Sequence, residues 1–309
     1  MKPKRINAFR RQRYVLSGIA PSLSPAAVAA FFSALAKEAF DIEQIATPIP
    51  ERTVQVFLSA RQRIDTRQVP DRLAAAVRPW QMDVVLQTTA AHRAPKRLLF
   101  IDMDSTLVQV EGIDELAKEA GVGARVIDIT DRAMNGELSF KEALRARVRL
   151  LSGLPVSALA AVWQRTSLTP GARELVRALK ARRCKVIVLS GGFDYFVSRI
   201  RKRLGLDGGY ANRLAVSNGR LTGEVVGDII DGRKKLALME SVVRREGISF
   251  AETIAIGDGA NDLPMMRRAG LGIAFCAKPS IRAQAPCNIT QPTLVAVLDL
   301  LGISSRSPG

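Results

Sequence analysis

The 309-residue chain contains few of the side chains from which most metal and nucleophile sites are built. Its single histidine, His92, excludes a site with several histidine ligands. The three cysteines, Cys184, Cys276 and Cys287, are too few and too scattered for a structural zinc site or a secreted disulfide framework. We interpret all three as buried packing residues in a reduced, cytoplasmic protein.

Long apolar runs are also missing from the sequence. None reaches the roughly 18 residues that a membrane-spanning helix needs, since the longest candidate, Ala26 to Ala36, contains Ser33 and is followed by Lys37 and Glu38. The hydrophobic fraction of 47% is nevertheless too high for a disordered chain. We therefore expect a globular protein of about two domains with no membrane partner.

Positive charge is in excess, with 46 Lys and Arg against 29 Asp and Glu. Part of it lies in the acid-free first 14 residues and part in a stretch from Lys141 to Arg183. No zinc finger, RNA-binding motif or clear helix-turn-helix accompanies either stretch, so specific nucleic-acid binding is not expected. Because a strand-like segment begins at Tyr14, we interpret residues 1–13 as a basic tail rather than a transit peptide.

The next part of the chain alternates short apolar strands with helices. Ser24 and Pro25 form a plausible helix start, and that helix is expected to run to about Phe40. The order of elements predicts a βαββαβ, ferredoxin-like α+β domain over residues 14–90. The polar segment 91–96, which contains His92, is expected to be a linker and to leave that histidine in solvent.

From residue 97 to about 303 the pattern predicts an α/β, Rossmann-like domain, followed by a loose tail at 304–309. Continuous Val, Ile and Leu runs bounded by helices indicate a parallel sheet covered on both faces. A mostly helical stretch of about seventy residues lies between the first two strands, and Asn218-Gly219 predicts a hairpin turn. The expected strands are Leu98 to Asp102, Lys185 to Ser190, Thr253 to Asp258 and Gly272 to Phe275.

Polar residues follow three of these strands, where open α/β sheets bind their ligands. The segments are DMDST at 102–106, SGG at 190–192 and DGAND at 258–262, and Lys235 lies in a basic helix start between the last two. Each segment alone is most simply a turn or a helix cap. Together they supply carboxylates, a hydroxyl, an amide and a lysine, a set that suits a phosphate group held by one hard cation.

The chemistry of this set favours phosphoryl transfer to an aspartate. A carboxylate and a phosphate repel each other by about 4 kcal/mol per pair of unit charges at 4 Å and an effective dielectric near 20. Mg²⁺ and a lysine ammonium remove that penalty, so neither histidine nor cysteine is needed. We assign the attack to Asp102, because it stands at the strand end, and acid/base catalysis to Asp104.

These residues resemble the haloacid dehalogenase (HAD) superfamily of aspartate-nucleophile phosphatases, and within it the phosphoserine phosphatases. Four motifs of the superfamily occur in order: DMDST at 102–106, LSGG at 189–192, Lys235 and GDGAND at 257–262. The resemblance to the phosphoserine phosphatases covers nearly all of 97–290. It implies a HAD core with a helical cap inserted at about 110–168, and Mg²⁺-dependent hydrolysis of O-phospho-L-serine, the last step of serine biosynthesis.

The resemblance also implies roles for single residues. Asp102 is the nucleophile and Asp104 the proton donor. Mg²⁺ is held by Asp102, the carbonyl of Asp104 and Asp258, with Asp262 in support. The phosphate group is held by a hydroxyl, a backbone amide and an ammonium, those of Ser190, Gly191 and Lys235.

The remaining implied roles concern the substrate. Glu111 meets its ammonium and Arg147 its carboxylate, which agrees with the preference of carboxylates for a forked guanidinium. Asn261 contacts the substrate or the attacking water. Phe140 and Met134 close over the site from the cap.

Other functions are compatible with these residues. The same residues would serve a HAD phosphatase or phosphotransferase acting on another small phosphomonoester. From another class, a regulatory or nucleic-acid-binding protein could retain the fold, although no catalytic position is degraded. The first domain resembles the ACT-type regulatory domains, but residues 20–24 read APSLS where amino-acid-binding ACT domains carry an Asp and a Gly. Dimerisation through that domain, or mere support, is therefore an equally open expectation.

Overall fold

The first elements of the chain form a four-stranded antiparallel sheet with two helices. The computed structural model describes residues 11–62 and 64–305, so residues 1–10 of the predicted tail lie outside the described residues. The elements are β1 (Gln12–Ile19), α1 (Pro25–Leu35), β2 (Asp41–Ala46), β3 (Thr53–Ala60), α2 (Gln68–Val77) and β4 (Asp83–Thr88). The strand order β2-β3-β1-β4 confirms the predicted βαββαβ domain.

Helix α1 begins as predicted but ends earlier. Ser24 caps it by accepting a hydrogen bond from the backbone N–H of Ala27 at 3.1 Å, and Pro25 occupies the first turn. The helix ends at Leu35 rather than near Phe40. Residues 36–38 tighten into turns, which bring the chain round to β2.

A seven-stranded sheet carries the rest of the chain, in the order β11-β10-β9-β5-β6-β7-β8. Every neighbouring pair is parallel except β7 and β8, which form a hairpin. Asn218 and Gly219 turn that hairpin with φ of 47° and 71°, as the Asn-Gly pair predicted. The strands are β5 (Leu98–Ile101), β6 (Lys185–Phe193), β7 (Gly208–Ser217), β8 (Arg220–Val226), β9 (Thr253–Gly257), β10 (Leu271–Phe275) and β11 (Cys287–Ile289).

Helices cover both faces of this sheet, which explains the uninterrupted apolar strands. In β5, Leu99 and Ile101 pack into one hydrophobic cluster, while Leu98 and Phe100 pack into another on the opposite face. The helices that follow β4 along the chain, including those that lie between β5 and β6, are α3 (Thr89–Arg93), α4 (Gly112–Glu119), α5 (Gly123–Met134), α6 (Phe140–Arg149), α7 (Ser157–Arg165), α8 (Ala172–Ala181), α9 (Asp194–Leu204), α10 (Gly232–Glu246), α11 (Leu263–Arg268), α12 (Pro279–Arg282) and α13 (Val295–Leu300). Within the described ranges, no helix is long and apolar enough to cross a membrane.

Two local expectations need correction. Cys276 is exposed, because it occupies a turn after β10 with φ of 47°, whereas Cys184 and Cys287 are buried as predicted. The polar segment 91–96 begins within α3, and the imidazole of His92 is partly buried. It lies edge-on to the ring of Phe57, with ring centroids 6.1 Å apart, and burial lowers its pKa.

The antiparallel sheet packs against the end of the chain through buried polar contacts. The carboxylate of Asp83 accepts hydrogen bonds from the backbone N–H and the hydroxyl of Thr290 at 3.0 and 2.7 Å, and from the backbone N–H of Gln291 at 3.3 Å. Nearby, Arg52 and the buried Asp299 form an ion pair at 2.7 Å. Burial raises the pKa of Asp83, and the hydrogen bonds oppose that shift.

We expect Asp83→Ala to lower the free energy of unfolding by about 2–4 kcal/mol, because it leaves the N–H groups of Thr290 and of the buried Gln291 without an acceptor. Urea denaturation followed by circular dichroism measures the change. Asp128→Ala, at an exposed position on α5, is the matched control and should stay within about 0.5 kcal/mol of the parent chain. Equal stability of the two variants would contradict a stabilising role for Asp83.

Candidate active site

Three neighbouring strands end at one edge of the parallel sheet and bring the polar segments together. Asp102 follows β5, Ser190 lies in the last part of β6, and Asp258 follows β9. Because β9, β5 and β6 are adjacent and parallel, their carboxyl ends meet. The residues predicted from three distant parts of the sequence therefore share a single site.

Asp102 is fixed by backbone and lysine contacts at the end of β5. Its Oδ1 accepts a hydrogen bond from the backbone N–H of Met103 at 2.7 Å and lies 3.0 Å from Nζ of Lys235. Lys235 is fully buried and donates to Oδ1 of Asp262 at 2.6 Å. Burial works to lower the pKa of Lys235, but the carboxylates of Asp102 and Asp262 outweigh it and raise that pKa.

The lysine of the site is Lys235, as the resemblance implies, and not its neighbour Lys234. Lys234 points outward and pairs with the exposed Asp228 at 3.0 Å. Helix α10 approaches the DGAND turn closely, since a Cβ on Gly232 would stand 2.8 Å from the carbonyl oxygen of Asn261. Only glycine permits that approach, which places the Lys235 ammonium between the two aspartates.

Asp104 is buried among hydrogen-bond donors. Its Oδ1 accepts from the backbone N–H of Gly112 at 2.8 Å, and its Oδ2 accepts from the hydroxyl of Ser190 at 3.2 Å. A side chain at Gly192 would collide with the same carboxyl group. Burial, assisted by the charges of Glu111 and Asp102, raises the pKa of Asp104 to about 8, so this carboxyl group can keep a proton at neutral pH.

Three carboxylates form a compact acidic cluster beside Asp104. One oxygen from each of Asp102, Asp258 and Asp262 lies within 4.8 Å of the others. Burial and repulsion from Asp102 and Asp262 raise the pKa of Asp258 to about 8. A divalent cation would offset this repulsion, and an all-oxygen donor set is the kind that Mg²⁺ prefers. The cluster therefore fits a hard divalent metal ion.

One acid and one base stand near the segments that surround the site. Glu111 precedes α4, and its Oε1 accepts a hydrogen bond from the hydroxyl of Ser105 at 2.7 Å. Arg147 lies on α6, and its guanidinium donates to the hydroxyl of Thr130 at 3.4 Å. Burial lowers the pKa of Arg147, and the charges of Asp114 and Glu111 oppose that shift. The charges of the predicted acid and base therefore lie close enough to interact.

Phe140 and Asn261 flank the glycine turn after the second motif. A Cβ on Gly191 would stand 3.0 Å from the Phe140 ring and 3.3 Å from the side-chain amide of Asn261. Phe140 is placed by the start of α6, where Ser139 and Glu142 form a reciprocal cap. Met134 ends α5, and its side chain lies outside the described part of the structure.

Two buried residues of the site had no role assigned from the sequence. Thr106 donates to Oδ1 of Asp258 at 3.2 Å and so joins the first motif to the fourth. Asn212 donates to the Gly191 carbonyl and accepts from the backbone N–H of Ile230, both at 2.7 Å. It therefore ties the glycine turn to the segment that leads into α10. Thr106 falls inside the DMDST motif, but only the contacts of these two residues distinguish them from packing residues.

The chain resembles known proteins in sequence. The family model of the haloacid dehalogenase-like hydrolases matches residues 99–267. A phosphoserine phosphatase of Archaeoglobus fulgidus is 47% identical over 254 residues, which cover 82% of this chain and 74% of that protein.

Solved structures extend the comparison to the fold. The unliganded structure of a probable phosphoserine phosphatase from Vibrio cholerae superposes with a TM-score of 0.74 at 31% identity, covering 94% of this chain and 86% of that one. A phosphoserine phosphatase solved as a phospho-aspartyl intermediate analogue gives a TM-score of 0.64 at 45% identity, covering 68% of this chain and all of that one.

Proposed function

The chain belongs to the haloacid dehalogenase-like hydrolases and, among them, to the phosphoserine phosphatases, and from this premise we propose that it hydrolyses O-phospho-L-serine to L-serine and inorganic phosphate. This reaction is the last step of serine biosynthesis. The observation that carries the proposal is the different surroundings of two neighbouring aspartates. The carboxylate of Asp102 is held by Lys235, whereas Asp104 is buried with a raised pKa.

In the first half of the reaction, Asp102 is the nucleophile. A carboxylate oxygen of Asp102 forms a bond to phosphorus as the bond from phosphorus to the serine oxygen breaks, which leaves an aspartyl-phosphate. Ser190, the Gly191 amide and Lys235 surround the transferred group with two neutral donors and one cation. Their charge and hydrogen bonds stabilise the oxygens of the phosphoryl group during transfer.

Asp104 moves the protons. Its raised pKa supplies a proton for the departing serine oxygen, which leaves as a hydroxyl. The resulting carboxylate then takes a proton from the water that attacks the aspartyl-phosphate, and phosphate departs from Asp102. The backbone N–H of Gly112 holds the Asp104 carboxyl group in place throughout, which leaves the Ser190 hydroxyl available to the phosphoryl group.

The acidic cluster is the proposed site of Mg²⁺. Asp102, Asp258 and the carbonyl of Asp104 would hold the ion, with Asp262 serving mainly to orient Lys235. When bound, Mg²⁺ supplies positive charge that offsets the repulsion between carboxylate and phosphate. Thr106 fixes the Asp258 carboxylate that this role requires.

Asp258→Asn should raise the Mg²⁺ concentration for half-maximal activity by about 10- to 100-fold, because an amide oxygen carries no full charge. Phosphate release measured over a Mg²⁺ titration tests this. Asp228→Asn, at an exposed position away from the cluster, is the matched control and should titrate like the parent chain. An unchanged titration for Asp258→Asn would remove this residue from the metal site.

Recognition of serine phosphate needs groups that read its ammonium and carboxylate. Glu111 offers a carboxylate for the ammonium, and Ser105 holds it. Arg147 offers a forked guanidinium for the carboxylate. Asn261 and Phe140, on either side of Gly191, line the path between the cap and the phosphate site, and we extend this role to Met134 at the end of α5.

A kinetic panel of small phosphomonoesters at fixed Mg²⁺ tests the substrate proposal. We expect kcat/KM for phosphoserine to exceed that for an alkyl phosphate without ammonium and carboxylate by about 10²–10⁴-fold, because Glu111 and Arg147 would otherwise stay unpaired. Phosphothreonine, phosphoethanolamine and 3-phosphoglycerate separate the contributions of the methyl, carboxylate and ammonium groups. Equal values across the panel would favour a phosphatase for another phosphomonoester.

We further propose that the protein works as a homodimer in the reducing cytoplasm. Strand β2 forms an edge of the antiparallel sheet and exposes Ile42 and Ile45, each about half accessible. An exposed edge strand with apolar side chains is suited to pairing with a second copy. The three cysteines are free, in keeping with a reducing compartment.

A further inference from the structure

A strongly basic surface lies at the end of the parallel sheet opposite the active site. We call it the basic end. The strands β6 and β7 begin there, and the helices α8, α9 and α10 finish there. Eight exposed cationic side chains lie there, accompanied by the carboxylates of Asp207 and Glu246; the cations are those of Lys180, Arg182, Arg183, Lys185, Arg201, Lys202, Arg244 and Arg245. The helix dipole favours cations at the C-terminal ends of helices. The number of cations at this surface is nevertheless larger than three helix C-termini account for.

The basic end contains a groove of about 510 Å³. Its polar lining consists of Lys185, Arg201, Asp207, Tyr210, Arg245 and Glu246. Gly208 and Gly209 form part of the wall, where β7 begins. Since β8 pairs with β7 only from Arg213 onward, no strand covers the outer side of these glycines within the described chain.

The glycine at position 209 lets an arginine lie against the strand. A Cβ there would stand 2.6 Å from Val197 and 2.7 Å from Cδ of Arg201. The missing side chain therefore makes room for the Arg201 stem, while the guanidinium stays at the groove.

The carboxylates of the groove are already neutralised, but its arginines are not. Asp207 pairs with Lys180 at 3.1 Å and accepts a backbone hydrogen bond from Val186, and Glu246 pairs with Lys185 at 2.5 Å. Among the described residues, Arg201 has no carboxylate partner, and Arg245 reaches Glu246 only at 4.0 Å. Two guanidiniums thus remain available for an anion.

We propose that this groove binds the phosphate backbone of a nucleic acid, with Arg201 and Arg245 as its main phosphate contacts. Guanidinium groups suit phosphate because they offer paired donors in one plane, and an open glycine wall admits a backbone closely. The partly buried Tyr210 adds an aromatic ring beside the cations. Binding here is independent of base sequence and leaves the catalytic edge free, since the two sites lie at opposite ends of the strands.

A membrane surface fits these observations less well. The large exposed apolar side chains of the described residues are Ile42, Ile45, Ile127, Val216 and Val226, and none belongs to the segments of the basic end. The surface is also concave and carries no apolar face that could enter lipid.

The test uses the intact chain and a fluorescent single-stranded oligonucleotide, whose anisotropy is followed over a range of salt concentrations. The double variant Arg201→Ala/Arg245→Ala should weaken binding about tenfold at low salt and reduce the slope of log K against log salt by about 2. The matched control is Arg125→Ala/Arg173→Ala, which removes equal charge from exposed positions at the starts of α5 and α8. It should keep the parent slope.

Several outcomes would overturn the proposal. Equal losses in the two double variants would mean that binding follows net charge and not the groove. Competitive inhibition of phosphatase activity by the oligonucleotide would place binding at the catalytic edge. Equal displacement of the oligonucleotide by polyglutamate at matched ionic strength would indicate an acidic protein as partner, and tighter binding to anionic vesicles would indicate a membrane. Support requires groove-dependent binding with unchanged turnover.

Discussion

Asp102→Asn should reduce phosphate release from phosphoserine by at least about four orders of magnitude, a barrier increase of more than about 5 kcal/mol. The amide keeps the size of the side chain but cannot attack phosphorus. Lys235 keeps its second partner, Asp262, so its position at the site is preserved. The loss should therefore appear in kcat and not as a failure to fold.

The covalent intermediate offers a second measurement on the same variant. Rapid-quench labelling with radioactive phosphoserine should show an acid-stable, hydroxylamine-labile phosphoryl group on the parent chain and none on Asp102→Asn. Asp128→Asn, on the exposed face of α5, should label like the parent. Substantial turnover by Asp102→Asn, or labelling at another residue, would show that Asp102 is not the nucleophile.

Arg147→Ala should raise KM for phosphoserine by about 10²–10³-fold and leave KM for a simple aryl phosphate nearly unchanged. The guanidinium is proposed to read the substrate carboxylate, which an aryl phosphate lacks. The Arg147 guanidinium donates to the hydroxyl of Thr130; burial lowers the pKa of Arg147, and the nearby charges of Asp114 and Glu111 oppose that shift. The effect should therefore separate substrate recognition from phosphoryl transfer.

Arg145→Ala is the control for this experiment, because Arg145 lies on the same helix α6 and is exposed. It should leave the kinetic constants for both substrates within about twofold of the parent, as expected for a surface substitution. If Arg147→Ala changed both substrates equally, the residue would support the cap in general and would not read the serine carboxylate.

The sequence predicted the site well where chemistry follows directly from a strand. Asp102, Ser190 and Asp258 each come at or near the end of a continuous apolar run, and parallel pairing alone brings such ends together. Lys235 was predicted as well, from its place in a basic helix start and from the resemblance to the HAD superfamily. Thr106 and Asn212 were not, since a lone threonine or asparagine carries no pattern that distinguishes a site contact from packing.

Parts of the fold also lay beyond sequence patterns. Strand β11 has only three residues, too few to show a period, and it forms because β10 offers a free edge. Cys276 reads as a core residue in an apolar segment, but the turn after β10 exposes it. Asp83 looks like an ordinary polar residue at a strand start, and its burial depends on Thr290, more than 200 positions away.

The polar contacts of Asp83 and Arg52 constrain how the enzyme can be shortened. Ile19 and Val85 of the antiparallel sheet share one hydrophobic cluster with the catalytic half, and Gln55 donates to the carbonyl of Leu300 in the last helix. A catalytic half made without that sheet would expose an apolar patch to solvent. Beside that patch, Asp299 would lack its cationic partner. An engineer seeking a minimal phosphatase would have to rebuild that flank with polar side chains before deleting the front of the chain.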